Sequence, residues 1–304
     1  MAAGWSISRT REVLSMDERI PGWLITLTAS VSLFIMVFLI YFLVQEGIPT
    51  LREVSLKELL LGFDWYPTEE PPALGMAPLI VGSMAVTLLS AVMAVPFSFL
   101  IAIFLSEVAP SWFREILKPA LELLGFLPSI VLGFLGMVVL APWLQERFDL
   151  LSGLNLFNAS LLMGAMIVPI VASLAEESLQ AVPRELRDAC YALGATRWET
   201  IRKVVLPAAL PGLLSASLLG IMRGLGETMV VLMAAGGAAL VPISIFDPVR
   251  PLTSAIAAEM GETPVGSAHY HALFFAGLLL LVMTLGINLI SMWIEKKGKE
   301  RWMA

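Results

Sequence analysis

Long apolar runs alternate with short polar connectors along this chain, and the runs set its architecture. They lie at about 22–44, 77–106, 120–142, 158–179, 208–241 and 271–294, six in all. Each reaches the roughly 20 residues a helix needs to cross a bilayer core, so the pattern predicts an all-α membrane protein with six transmembrane helices. Pro78, Pro96, Pro128, Pro169 and Pro211 fall in these runs, which membrane helices tolerate when neighbours satisfy the freed carbonyls. The run at 208–241 is too long for one straight span, and predicts a tilt or a break around Gly236 and Gly237. The first run follows a polar segment, 1–21, that holds Arg9, Arg11 and Arg19. It is too long for a signal-peptide core and has no small-residue cleavage site, so 22–45 reads as a retained first span.

The connectors carry the orientation. With the N-terminus in the cytoplasm, fourteen basic residues lie inside: Arg9, Arg11, Arg19, Arg114, Lys118, Arg184, Arg187, Arg197, Arg202, Lys203, Lys296, Lys297, Lys299 and Arg301. Four lie outside (Arg52, Lys57, Arg147 and Arg250), and Arg223 remains within a span. That imbalance places both termini in the cytoplasm. The predicted organisation is a cytoplasmic segment 1–21, a first span 22–45, a periplasmic segment 46–76, a core of five spans at 77–295 and a cytoplasmic tail 296–304. In the segment 46–76, Leu51, Val54, Leu59 and Leu60 recur among charges, as in a short helix lying on the bilayer surface with Trp65 and Tyr66 at headgroup level. Its acidic residues could instead face a soluble partner.

Composition agrees with the pattern. Of 304 residues, 58% are hydrophobic and 14% charged, with a mean hydropathy of +0.85, whereas soluble chains carry about 25% charged residues. The net charge of −6 argues against a nucleic-acid-binding face. Cys190 is the only cysteine, which excludes an internal disulfide and a cysteine-based zinc cluster. His269 and His271 have no further metal ligands near them in sequence and read as surface residues.

The inner connector between the fourth and fifth runs, about 176–207, is the most informative. Pro183 suits a first helical position. Leu186, Ala189, Cys190 and Leu193 form one apolar stripe, and Gly194 is placed to end that helix in the left-handed conformation. Thr196 and Glu199 have the spacing of a capping box. Trp198, Ile201, Val204 and Val205 give the second helix an apolar side, and Pro207 marks the start of the fifth span. The pattern is two short amphipathic helices joined by a glycine turn, which serve either as a simple connector or as a docking surface.

Asp188-Ala189-Cys190, Gly194 after three more residues, and Val204-Val205-Leu206-Pro207 after nine resemble the EAA loop of ABC importer permeases. Asp188 stands for the usual Glu, Cys190 for the second Ala and Val204 for the Ile, so charge sign and apolar character are kept. In that family the loop forms a coupling helix that docks on a separate ATPase subunit. The chain has no G-x-x-x-x-G-K-[ST] phosphate loop of its own. The stretches "LGMAPLIVGSMAVTLLSAVMAVPFSFLIAIFLSEVAP", "LELLGFLPSIVLGFLGMVVLAPWL", "MRGLGETMVVLMAAGG" and "PLTSAIAAEMGE" resemble the PstC-type permease of phosphate-specific transport systems. Gly236, Gly237, Ala238 and Ala239 depart from the Asn and Pro common there. The resemblance implies a type I importer permease of MetI-like architecture. It also implies a homologous second permease of PstA type, two ATPase subunits that use ATP and Mg, and a periplasmic or lipid-anchored phosphate-binding protein. Membrane lipid is the remaining expected partner, and neither a nucleic-acid partner nor a cofactor bound by this chain is expected.

Arg223 and Glu227, four residues apart, face the same way on a helix within an apolar run. Gly212, Ala216, Gly220 and Gly224 make a small-residue ladder for close helix packing. An intramembrane charge is costly and faces the bundle interior or a water-filled cavity. The two residues are either a buried pair that locks two helices or groups on a translocation path. On a path, the planar Arg223 guanidinium would bind phosphate, Glu227 would compete for it, and Thr228 would add a hydroxyl donor. The resemblance favours the path. The expected function is therefore a phosphate-importer permease without its own ATPase, in a bacterial plasma membrane. A permease for molybdate or sulfate, and a non-transporting scaffold or sensor, are the alternatives. An intramembrane hydrolase is disfavoured, because Glu227 has no serine or histidine in a catalytic arrangement.

Overall fold

A computed structural model describes residues 19–303. The expected segment 1–21 lies mostly outside the described residues. The first helix, α1 (Arg19–Gly47), is followed by two helical turns, α2 (Thr50–Glu53) and α3 (Leu56–Leu61), and by a hairpin of β1 (Trp65–Tyr66) and β2 (Ala73–Leu74). The strands pair antiparallel with Trp65 opposite Leu74. Then come α4 (Ala77–Ile103), which widens into a π turn at Phe104–Val108, and α5 (Ser111–Gly125). The third crossing is α6 (Ser129–Leu135), a π turn at Gly136–Leu140 and α7 (Ala141–Phe148), and the fourth is α8 (Leu156–Gln180). The connector holds α9 (Arg184–Ala192). From α10 (Arg197–Thr200) the chain runs through a π turn at Ile201–Val205 into α11 (Leu206–Leu225). Two short helices, α12 (Met229–Ala234) and α13 (Leu252–Glu259), precede the long α14 (Ala268–Met303). Among the described residues, six helical segments are long and apolar enough to cross a membrane.

The bundle centre is α8, which packs along α4 on one side and α11 on another. Val86 and Ala94 of α4, Met163, Ile167 and Val171 of α8, and Ala216 of α11 are buried together there. The small-residue ladder makes this approach possible. A Cβ on Gly220 would lie 2.4 Å from Val171 Cγ2 and 2.9 Å from Ile167 Cγ2, and one on Gly212 would lie 2.4 Å from Ser178 Oγ. Without a hydrophobic driving force between helices in lipid, such close packing supplies much of the association energy. By contrast, α1 lies on the outside of the bundle and leans on α14, with Phe42 edge-on to Phe274 at 5.3 Å.

Several boundaries differ from the apolar pattern, each for a local reason. The third span is Ser129–Phe148, not 120–142. Pro128 has no N–H and disfavours helix at the residue before it, so α5 ends at Gly125 and a new helix starts after Pro128. Beside the π turn at Gly136–Leu140, Asn158 Nδ2 donates to Gly136 O (3.0 Å), which also accepts the Ala141 N–H, and to Gly153 O (2.9 Å). The fifth run first breaks at residues 226–228, eight or more residues before the expected place, and the chain leaves helix again at Gly236 (φ +92°) and Gly237 (φ +72°). The second connector helix is not separate. It continues into the fifth span through the π turn at Ile201–Val205, which ends just before Pro207.

Segment 46–76 does not lie as one helix on a surface. Leu59 (0% exposed) and Trp65 (4%) are buried in a cluster with Met76, Leu252, Leu273 and Ala276. Tyr66 alone of the aromatic pair is exposed. The two histidines are likewise not free surface residues: both are partly buried and hydrogen-bonded. No cluster of three or more metal-ligating side chains occurs among the described residues.

Candidate functional site

At the break after α11, Arg223 NH1 donates to Glu227 Oε2 at 2.8 Å. The other carboxylate oxygen, Oε1, accepts from the backbone N–H of Met229 at 3.1 Å and of Val230 at 3.5 Å. Glu227 thereby satisfies orphan amides at the start of α12, where a negative charge is favoured. Thr253 of α13 donates its hydroxyl to the Glu227 backbone oxygen at 2.7 Å, closing a carbonyl that the break leaves without a helical partner. The ion pair spans the break within one stretch of chain rather than locking two packed helices together. Its members differ sharply in exposure, with the Arg223 side chain at 46% and that of Glu227 at 5%. Thr228 is half-buried beside them, and its side chain caps nothing. Met163, Met166 and Ile167 of α8 line the inner side of the pair.

The connector residues lie together at the opposite end of the bundle from the hairpin. Helix α9 has no buried residue, so Leu186 (38%) and Tyr191 (43%) face outward with Asp188, while Ala189 is exposed and Cys190 half-buried. Gly194 has φ +81° and no atom within 4 Å of its added Cβ. Its N–H bonds Tyr191 O at 3.0 Å and that of Ala195 bonds Cys190 O at 3.0 Å, the paired bonds of a Schellman cap. The capping box predicted at Thr196 and Glu199 is present in both directions. Leu206 is half-buried and Pro207 exposed where the chain turns back into the bundle.

Two ion pairs that the linear pattern does not reveal fix this loop. Arg187 of α9 donates to Glu107 Oε1 (2.8 Å) at the end of α4, to Leu179 O (2.8 Å) and to Val182 O. One guanidinium thus joins α9 to the ends of two spans. Arg114 of α5 donates to Leu105 O (2.8 Å) and Ser106 O (2.9 Å), closing the π turn. Lys118 Nζ bonds Glu176 Oε2 at 2.8 Å, and Gln180 Nε2 donates to the other oxygen. Glu176 is fully buried, so this pairing relieves the cost of its charge. The hydrogen bond to Glu176 holds the Lys118 ammonium above the usual lysine range. Glu107 and Glu176 interrupt or abut apolar runs, the only linear sign that they need partners.

A third cluster lies at the hairpin end. Glu259, the last residue of α13, receives Arg250 NH1 at 2.8 Å and His269 Nε2 at 2.6 Å. Trp65 Nε1 lies 3.3 Å from both carboxylate oxygens. His271 Nδ1 lies 2.8 Å from the backbone oxygen of Glu46. Here the sequence offered no signal, since Trp65 and Glu259 are 194 positions apart.

The chain is 36% identical over 301 residues to the "Probable ABC transporter permease protein YqgH" of Bacillus subtilis (strain 168), covering 98% of this chain and 97% of that one. It is 37% identical over 257 residues to the "Phosphate transport system permease protein PstC" of Pasteurella multocida (strain Pm70), covering 77% and 79%. Among solved structures, a chain of the MetNI methionine ABC transporter in an inward facing conformation superposes with a TM-score of 0.57 at 20% identity, covering 76% of this chain and 99% of that one. A chain of a bacterial alginate importer gives a TM-score of 0.63 at 15% identity, covering 93% and 98%. At those identities the likeness is one of fold, and the six-span bundle is the fold of these ABC transporter permeases. Residues 94–297 match the family described as "Binding-protein-dependent transport system inner membrane component", and the chain belongs to that family.

Proposed function

We propose that this chain is the PstC-type permease subunit of an ATP-driven phosphate importer, and that phosphate passes Arg223. The observation that carries the reading is the asymmetry of the Arg223–Glu227 pair. A guanidinium that is 46% exposed on a helix flanked by apolar residues is not tolerated against lipid. It requires a polar path or a partner chain on that flank. A homologous second permease of PstA type, placed there, would complete a path with Arg223 in its wall. Glu227 keeps its backbone donors at Met229 and Val230 when Arg223 turns to a substrate, so release of the arginine does not strand a carboxylate. An arginine shared in this way binds an oxyanion weakly enough to let it go, as conduction demands. Thr228 lies next to the pair with its hydroxyl uncommitted to a cap.

The exposed apolar stripe of α9 supports docking on an ATPase. Two such subunits would supply ATP hydrolysis with Mg, since the chain has no phosphate loop. A periplasmic or lipid-anchored binding protein would meet the hairpin end. The orientation rests on basic residues: Arg114, Lys118, Arg184, Arg187, Arg197, Arg202 and Lys203 lie towards the α9 end, against Arg52, Lys57, Arg147 and Arg250 towards the hairpin. That bias supports a cytoplasmic α9 end. The substrate is supported by relatives named as phosphate permeases, from Pasteurella multocida and Haemophilus influenzae among others.

Reconstitution of the chain with its second permease, ATPase and binding protein in vesicles tests the reading. ATP-dependent uptake of labelled phosphate is expected, with sulfate and molybdate excluded. Uptake of either of those without phosphate would assign a different oxyanion, and absence of any substrate-stimulated ATP hydrolysis would leave a scaffold.

A further inference from the structure

At the hairpin end a cavity of about 620 Å³ opens between the hairpin, the stretch 238–240 after the paired glycines, and the ends of α13 and α14. Among the described residues, Arg250 is the one Lys or Arg side chain in its wall, and Trp65, Glu259, Thr263 and His269 line it too. The Arg250 side chain is 24% exposed and that of Glu259 13%. Glu259 holds Arg250 by a single guanidinium nitrogen, NH1. The same carboxylate also lies 2.6 Å from His269 Nε2 and 3.3 Å from Trp65 Nε1. It has more donors than it needs. If Arg250 turns into the cavity, Glu259 keeps the indole and imidazole contacts and is not left buried and unpaired, the outcome that makes breaking such pairs costly.

This is the arrangement seen at Glu227, which keeps backbone donors when Arg223 leaves. We propose that the cavity is a second oxyanion site, an outer receiving site in which a tetrahedral oxyanion such as phosphate takes Arg250 from Glu259. The inference rests on the transport reading above for its direction, outside to inside. The cavity holds an oxyanion together with part of its hydration shell, since a water occupies about 30 Å³. Glu262 at the wall and Glu259 counter the cationic charge, which keeps binding weak and suits a site that must pass its occupant on. Helix α13 joins the two sites. Its Thr253 bonds the Glu227 backbone oxygen and its last residue is Glu259, six positions on and about 9 Å along the axis. An oxyanion that draws Arg250 off Glu259 therefore acts on the element that holds Glu227 in place.

The test uses a thiol reporter in the assembled membrane complex. In a Cys190→Ser background, Ala238→Cys puts a thiol in the cavity wall, with Thr68→Cys as a second reporter should the first disturb assembly. The probe is inorganic phosphate, and the readout is the rate of modification by a negatively charged methanethiosulfonate. At roughly four times its dissociation constant, phosphate should slow modification about fivefold relative to chloride at equal ionic strength, because only unoccupied sites react. Arg250→Gln should abolish the protection, Arg250→Lys should keep part of it, and Arg223→Ala should leave it intact. No protection at either reporter, or protection that survives Arg250→Gln, overturns the proposal. Phosphate uptake without protection would remove this site and leave the transport reading. Protection without phosphate uptake by the assembled importer would remove the transport reading and leave an oxyanion site.

Discussion

Glu227 shows how much one side chain can settle. Its spacing from Arg223 made the ion pair legible, because helical periodicity places such residues on one face. Its other contacts were not legible. The break at residues 226–228 turns the backbone so that Glu227 caps α12, and Thr253 arrives from 26 positions away. Contacts of that range depend on how helices pack, which local pattern does not encode. The small-residue ladder was legible because it repeats every four residues, and it yields a prediction at this scale. Gly220→Val adds atoms where even a Cβ lies 2.4 Å from Val171. Overpacking of this kind costs about 1–3 kcal/mol, so the solubilised chain should unfold at a lower temperature. Gly237→Ala has open space but φ +72°, and should cost less. Equal thermal stability of Gly220→Val and the parent would mean that α8 and α11 do not pack this closely.

Among the elements, α9 was the most legible, because its caps are local chemistry: Gly194 for the left-handed end, Thr196 and Glu199 for the next start. The third span was the least legible. Its apolar run is continuous across Pro128, and hydropathy does not register where a proline restarts a helix. The join of α10 to α11 was hidden for the opposite reason, since Pro207 looks like a breaker but the helix passes it by way of a π turn at Ile201–Val205. The exposed stripe of α9 and its anchor through Arg187 make it a stiff arm rather than a loose loop. Gly194→Val forces a β-branched residue to positive φ, at a cost of roughly 1–2 kcal/mol or more, and tilts the arm. Asp188→Arg reverses a charge on its outer face. Both variants should insert at normal levels and lose ATP-coupled uptake. Membrane content and uptake measured together check this, and normal transport by both would reduce α9 to a connector.

The whole molecule is a six-span bundle with an ion pair at its central break and one cluster of charged groups at each end. The six-span count and the family were legible from hydropathy and the connector motif. The two end clusters were not, because each gathers residues from three or more distant elements. Orientation is testable through Cys190, the only thiol, half-buried on α9. A membrane-impermeant maleimide should label it from the cytoplasmic face of inverted vesicles and not from the outside of intact cells, and labelling from outside would invert the topology. The central claim, that the substrate passes Arg223, is tested most directly by Arg223→Ala in the fully assembled, reconstituted importer. With subunit stoichiometry and basal ATP hydrolysis unchanged, phosphate uptake should fall about 10- to 150-fold, the equivalent of losing one charge-assisted hydrogen bond of ~1.5–3 kcal/mol. Uptake at the parent rate by a well-assembled Arg223→Ala importer would contradict it.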